Sequence, residues 1–77
     1  MKIEYTDYAD MKIQKRNLDK SYIENVLNKP DKILEVKDGR KIAQKVLGKY
    51  VLRVVFEIQG NEYKVITAYY SHQERYG

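Results

Sequence analysis

Hydrophobic and polar residues alternate with a period of two along much of the chain between Ile33 and Tyr70, which predicts β-strands. In the most apolar stretch, one side of the strand carries five apolar or aromatic side chains: Tyr50, Leu52, Val54, Phe56 and Ile58. The other side is partly apolar too, through Val51 and Val55. A strand with apolar residues on both sides is typical of the inside of a sheet.

Three glycine-containing dipeptides divide this region into four predicted strands, at about 32–37, 40–47, 50–59 and 62–70: Asp38-Gly39, Gly48-Lys49 and Gly60-Asn61. Each places glycine where a two-residue hairpin requires a positive φ angle, so we expect an antiparallel meander. In the fourth strand two sets of residues could face the core. One is Val65 with Tyr63 and Thr67, and the other is Ile66 with Ala68.

Two helices are predicted before this sheet, at about 7–16 and 20–28, after a short extended piece around Ile3. Thr6 and Asp19 are suitable N-cap residues, and Pro30 disfavours continuation of the second helix. The predicted fold is therefore α+β, with two N-terminal helices packed on a four-stranded antiparallel β-meander. We expect the sheet face opposite the helices to be the more polar one.

The composition predicts one domain in 77 residues without cysteine. No apolar run is long enough for a membrane span, and the first residues do not resemble a signal peptide, so we expect a soluble cytoplasmic protein that does not contact a membrane. The net charge of +4 and the eight tyrosines favour a polyanionic partner such as RNA or DNA, although ordinary solubility explains them as well.

The order of several short motifs resembles a known family. These are Tyr8-Ala9, Arg16-Asn17-Leu18, a helix ending at Pro30-Asp31, Leu52-Arg53-Val54-Val55, and Val65-Ile66-Thr67-Ala68-Tyr69. Together they resemble a small family of unknown function that has a His-Ala-type helix motif and is placed in the RelE/ParE toxin superfamily, with BrnT-like relatives. The resemblance covers roughly residues 5–70.

This resemblance implies a RelE-like fold and a toxin-type, RNA-binding protein of a toxin–antitoxin pair, with a cognate antitoxin as partner. In many relatives the implied activity is metal-independent endonucleolytic cleavage of messenger RNA. The chain departs from the family motif at Tyr8, where histidine is usual, and at Lys12, where arginine is usual. Tyrosine is a poor base near neutral pH, so the alternative is a non-catalytic module of the same fold that binds nucleic acid or protein.

Arg53 is the first candidate for catalysis, since strand alternation places it opposite the face of Leu52 and Val54. It could hold a phosphate there, or pair with Glu57 two residues further along. Arg40 and Lys45 lie on the preceding hairpin and strand, and with Arg53 they are predicted to form one cationic surface that binds nucleic acid. The alternative is that all three are ordinary solvated charges on the strands.

Tyr8, Lys12 and Arg16 form a helix stripe with spacing i, i+4 and i+8, which predicts either nucleic-acid contacts or an ordinary surface helix. His72 and Tyr70 are candidates for proton transfer in RNA cleavage, although a histidine after the last strand is also commonly just exposed. The sequence has no pattern for a metal or other cofactor. A homodimer formed through the sheet edge or the tyrosines is a further alternative.

Overall fold

The computed structural model describes residues 2–72, which form five strands and two helices. In chain order these are β1 (Lys2–Tyr5), α1 (Asp7–Lys15), α2 (Lys20–Asn28), β2 (Lys32–Glu35), β3 (Arg40–Leu47), β4 (Tyr50–Gln59) and β5 (Glu62–His72). The chain is therefore an α+β protein, as the sequence predicts.

The strands form one mixed sheet in the order β1-β5-β4-β3-β2. β1 pairs with β5 in parallel, and the other neighbouring strands pair antiparallel. The prediction of a four-stranded, purely antiparallel sheet preceded by the helices was wrong, because the first strand comes before them. β1 has only four residues, too few for their alternation to identify a strand of the sheet. Its parallel pairing depends on a crossover through α1 and α2, which no local pattern reveals.

Both helices begin at the predicted capping residues. The Thr6 hydroxyl accepts a hydrogen bond from the Ala9 backbone N–H at 2.9 Å, and the Asp19 carboxylate accepts one from the Ser21 N–H at 2.8 Å. These oxygens satisfy backbone donors that the first helical turn leaves unpaired. α1 ends before Asn17, whose φ of 55° is in the left-handed region. Asparagine tolerates this conformation better than most residues, so the chain can turn there into α2.

Two of the predicted two-residue turns join strands directly. Leu47 pairs with Tyr50 around Gly48, and Gln59 pairs with Glu62 around Gly60. Both glycines have positive φ angles, 66° and 62°, which side chains with a Cβ rarely adopt. The third turn, around Asp38-Gly39, is also tight, but β2 ends at Glu35, two residues earlier than predicted.

The helices cover one face of the sheet and bury a core of small and branched side chains with it. From the helices come Ala9, Ile13, Ile23, Val26 and Leu27, and from the sheet Ala43, Leu52, Val54, Phe56, Val65 and Ala68. We call the other side of the sheet the open face. It is the more polar of the two faces, through Gln44 and Arg53, and it is partly apolar through the buried side chain of Val51 together with Ile42 and Val55. Neither helix is long and apolar enough to cross a membrane.

Candidate nucleic-acid interface

A β-bulge in β5 decides which side chains of this strand face the helices. Phe56 pairs with Val65, but Val55 pairs with Thr67, so Ile66 is an extra residue without a partner on β4. Before the bulge, Tyr63 and Val65 pack toward the core, and after it Ala68 does. Each of the two sets predicted from the sequence is therefore correct for one half of the strand. Because of the extra residue, Tyr70 and His72 follow Ala68 onto the helix-covered side.

Three rings meet on this side, at the end of the sheet beyond the core: Tyr50 of β4 and Tyr70 and His72 of β5. We call them the aromatic cluster. Tyr50 pairs directly with His72, and their ring centroids are 5.2 Å apart with a tilt of 48°. The rings of Tyr50 and Tyr70 contact each other edge to face, with centroids 6.0 Å apart. Such geometry is favourable for aromatic pairs.

The aromatic cluster is exposed to solvent. Tyr50 is 45 % exposed, Tyr70 is 42 % exposed, and His72 is also exposed. The core residues Leu52 and Ala68, which lie two residues from Tyr50 and Tyr70 on the same strands, are fully buried. The cluster therefore continues the core face beyond its buried part and leaves ring surface open to solvent. Planar rings of this kind are what stack with unpaired nucleic-acid bases.

Two cations border the aromatic cluster. Arg16, at the end of α1, donates from Nη1 to the Ala68 carbonyl oxygen at 2.8 Å and to the Thr67 hydroxyl at 3.2 Å. Lys45 of β3 shares a row with Leu52 and Tyr70, and its ammonium donates to Asn25 Oδ1 and the Lys29 carbonyl oxygen, each at 3.1 Å. All four acceptors are uncharged. Neither cation forms an ion pair with a carboxylate of residues 2–72.

The ion pairs lie elsewhere. Among residues 2–72, four of them are near the opposite end of the sheet and one links the helices: Lys2–Glu4, Lys2–Glu62, Arg40–Glu57, Lys41–Glu35 and Lys20–Asp10. The hydrogen bond from Arg40 lowers the pKa of the Glu57 carboxyl below its ordinary value. Carboxylates thus balance the cations at that end. We expect the positive potential to be stronger at the end that carries the aromatic cluster.

Arg53 lies on the open face, as strand alternation predicts, but it is only 8 % exposed. Its Nη1 donates to the Tyr69 hydroxyl at 2.8 Å, and its guanidinium lies 5.6 Å from the centre of the Tyr69 ring. The alternative of an Arg53–Glu57 pair does not hold, because Glu57 pairs with Arg40 instead. Arg53 lies on the opposite face of the sheet from Tyr70 and His72, so the structure does not bring these three candidate catalytic residues together.

The predicted cationic surface of Arg40, Lys45 and Arg53 does not form. Arg53 pairs across the strands with Gln44, and Lys45 pairs with Leu52, so Lys45 points to the helix-covered side. Arg40 shares the open face with Arg53 but lies four residue pairs away, bound to Glu57. The sequence interpretation was wrong because it placed charges on neighbouring strands without fixing which face each strand position occupies.

The predicted stripe on α1 is divided. Tyr8 is exposed, and the Lys12 ammonium lies 5.5 Å from the centre of its ring. Arg16 instead turns to the edge of β5, where it approaches the aromatic cluster. Lys12 lies about one turn and Tyr8 about two turns back along the helix, so neither shares this position with Arg16.

Tyr50 is the residue that the sequence interpretation missed as a candidate. It was assigned to the apolar side of its strand, which is the correct face, but its exposure and its contact with His72 depend on the register between β4 and β5. If β4 and β5 paired regularly from the Gly60-Asn61 turn, with no bulge, Ser71 instead of His72 would lie opposite Tyr50. The one available signal was the change of apolar positions from Tyr63 and Val65 to Ala68.

No group of three or more potential metal ligands occurs among residues 2–72.

The comparisons with known proteins add one finding. Neither the curated proteins nor the solved structures include a match to this chain. The model of one family, described as Domain of unknown function (DUF4258), matches residues 5–70, which is most of the chain. The chain therefore belongs to the DUF4258 family.

Proposed function

We propose that the chain binds single-stranded RNA through the aromatic cluster, with Arg16 and Lys45 contacting phosphates. The observation that carries the proposal is the exposure of Tyr50, Tyr70 and His72 as one group of contacting rings. Exposed ring surface of this kind has no role in the core, and stacking with a base would remove it from water.

The aromatic cluster favours an unpaired strand over a duplex. In double-stranded RNA the bases already stack on each other, and the major groove is too narrow for side chains to reach them. In a single strand the bases can turn out and stack on tyrosine or histidine rings. Arg16 and Lys45 lie on two sides of the rings, where a bound strand would carry its phosphates.

A binding titration tests this proposal. Fluorescently labelled single-stranded RNA is titrated with the wild-type chain and with Tyr50→Ala and Tyr70→Ala. Stacking is worth about 1–3 kcal/mol per base, so we expect each variant to bind roughly 5- to 150-fold more weakly. Tyr22→Ala is the matched control, because Tyr22 is at least as exposed as the two cluster tyrosines but lies on α2. Equal affinities of all four proteins, or a preference for duplex RNA, would contradict the proposal.

The second candidate function is metal-independent cleavage of messenger RNA, as the resemblance to toxin-type proteins suggests. The contact of His72 with Tyr50 and the nearness of Tyr70 favour it. In this reaction His72 would take the proton of a ribose 2′-hydroxyl, whose oxygen then bonds to phosphorus while the bond to the leaving 5′-oxygen breaks. Tyr70 would donate a proton to that oxygen, and Arg16 would replace Arg53 as the cation at the phosphate.

Incubation of RNA with the protein in the presence of a chelator tests for cleavage. The ribonuclease proposal predicts products with a 2′,3′-cyclic phosphate, no reaction of a substrate with 2′-deoxyribose at the cleaved position, and a large loss of rate in His72→Ala. RNA that binds but stays intact would identify a non-catalytic binding module instead.

A toxin role in the cytoplasm, with a cognate antitoxin, is proposed on the sequence resemblance alone. It predicts that expression of the chain slows cell growth and that His72→Ala, if cleavage is the cause, restores it. Harmless expression at levels that give soluble protein would argue against a toxin.

A further inference from the structure

The two edges of the sheet are protected to different degrees. On one side the short β1 covers part of β5, and beyond it Arg16 donates to the Ala68 carbonyl oxygen. On the other side β2 is the last strand, and its outer edge pairs with no other strand of residues 2–72. About half of the surface of Ile33 and of Val36 is exposed at this edge. Unpaired strand edges with apolar side chains readily add another strand.

The hydrogen bonds between β2 and β3 show which backbone groups of β2 remain available to pair with a further strand. The Val36 N–H donates to the Arg40 carbonyl oxygen, and Leu34 and Lys32 are the next residues in the same alternation, paired with Ile42 and Gln44. Backbone groups of alternate residues in an antiparallel strand point to opposite sides. The N–H and C=O groups of Ile33 and Glu35 therefore point away from the sheet, toward a further strand.

The charges along this segment select one way of pairing it with itself. In a first register, Ile33 lies opposite Ile33 of the partner subunit, and Asp31 then lies opposite Glu35 of the partner subunit. In a second register, Glu35 lies opposite Glu35 of the partner subunit, so two carboxylates meet. If Leu34 lies on the two-fold axis, Lys37 lies opposite Asp31. Ile33 then pairs with Glu35 of the partner subunit, and the outward backbone groups of both residues are hydrogen-bonded. Like charges directly opposite each other are destabilising, so the third register is favoured.

We propose that β2 pairs antiparallel with β2 of a second copy, with Leu34 at the two-fold axis, to form one continuous sheet of both subunits. The interface is closed and symmetric, so association stops at the dimer. Ile33 and Leu34 lose exposed apolar surface on opposite faces of the joined sheet. The short strand makes the contact area small, and the dimer dissociates reversibly on dilution.

Cysteine crosslinking tests both the dimer and its register, because the wild-type chain has no cysteine. Residues directly opposite each other at a non-hydrogen-bonded position have Cα atoms about 4.5 Å apart, which a disulfide can span. We therefore expect Leu34→Cys to form a disulfide-linked dimer under mild oxidation. Ile33→Cys and Val36→Cys are matched controls, since in this register each lies opposite a different residue of the partner subunit.

Sedimentation equilibrium of the full chain provides the second measurement. The wild-type chain is expected to show a concentration-dependent dimer, which Lys37→Glu weakens by placing a carboxylate opposite Asp31. Lys15→Glu makes the same charge change on α1 and should leave the association unchanged. A monomer at all concentrations, crosslinking of Leu34→Cys no faster than the controls, or preferential crosslinking of Ile33→Cys would each overturn the proposal.

Discussion

At the scale of single residues, the centre of the open face is the most unusual part of the protein. Gln44 of β3 and Arg53 of β4 lie directly opposite each other, and on its other side Arg53 lies opposite Tyr69 of β5. Gln44 is only 6 % exposed, and its side-chain oxygen accepts no hydrogen bond in the described part of the chain. A polar atom buried in this way reduces stability, because it has lost its hydrogen bonds to water.

Gln44→Met should therefore stabilise the fold. Methionine has a similar shape and removes the buried oxygen, and an unsatisfied buried group costs about 1–3 kcal/mol. We expect the free energy of unfolding in urea to rise by roughly 1 kcal/mol, the lower end of this range, since glutamine and methionine lose similar conformational freedom on burial. Gln59→Met, at an exposed position, is the control and should change it little. A clear loss of stability in Gln44→Met would show that the glutamine makes a favourable contact.

The sequence predicts single residues well where a local rule applies. The capping roles of Thr6 and Asp19 and the open-face position of Arg53 follow from their immediate neighbours. The partners of Arg40 and Lys45 could not be predicted in this way, because they depend on which residues of neighbouring strands lie opposite each other. A shift of one residue in that register moves a side chain to the other face of the sheet.

At the scale of whole elements, the caps and the bulge have the largest effects. Both helices have nine residues, which is too short for stable helices in isolation, so their ends and their packing must hold them. The Asp19 carboxylate accepts hydrogen bonds from the hydroxyl and the N–H of Ser21, and these bonds lower its pKa below the ordinary value. The ionised form is thus favoured in the folded state.

This shift predicts how the contribution of Asp19 changes with pH. Because the pKa is lower in the folded than in the unfolded chain, the contribution is complete above the unfolded pKa and is lost as the pH falls through the folded one. Asp19→Ala should lower the melting temperature at neutral pH, and the difference from wild type should shrink in acid. Tyr22→Ala, at an exposed position in the first turn of α2, is the comparison for general effects of substitution there. A difference that stays constant down to low pH would contradict this role.

The bulge at Ile66 explains the main limit of the sequence prediction for the elements. Helix positions and the glycine turns follow from local patterns, and the observed helices differ from the predicted ones by about one residue. A bulge has no comparably clear local signal, since it adds one residue to an otherwise regular strand. It nevertheless decides that Tyr70 and His72 share a face with Tyr50. The aromatic cluster could therefore be recognised only in the folded structure.

At the scale of the whole molecule, charge and aromatic surface are distributed unevenly. The ion pairs of the sheet occupy the end with the β2–β3 and β4–β5 turns, whereas the aromatic cluster lies at the end with the β3–β4 turn. The net charge of +4 alone would favour any polyanion, and the uneven distribution is the reason that the proposed RNA-binding region lies at one end of the molecule. Proposed dimerisation through β2 would leave both copies of this region accessible.

The binding region should therefore give RNA affinity that falls with salt. Each phosphate contacted by a cation contributes a slope of about −0.7 in a plot of log K against log salt for a single strand. Arg16→Gln should reduce the magnitude of this slope by roughly that amount, while Arg40→Gln should not change it, because Arg40 is paired with Glu57. An unchanged slope in Arg16→Gln would remove this cation from the proposed interface.

The most direct test of the account is a titration of isotope-labelled protein with a short single-stranded RNA, followed by nuclear magnetic resonance. If the aromatic cluster is the binding surface, the largest shift changes will occur at Tyr50, Tyr70 and His72, with smaller ones at Arg16 and Lys45. Shift changes confined to Arg53 and Tyr69 on the open face, or none at all, would contradict it.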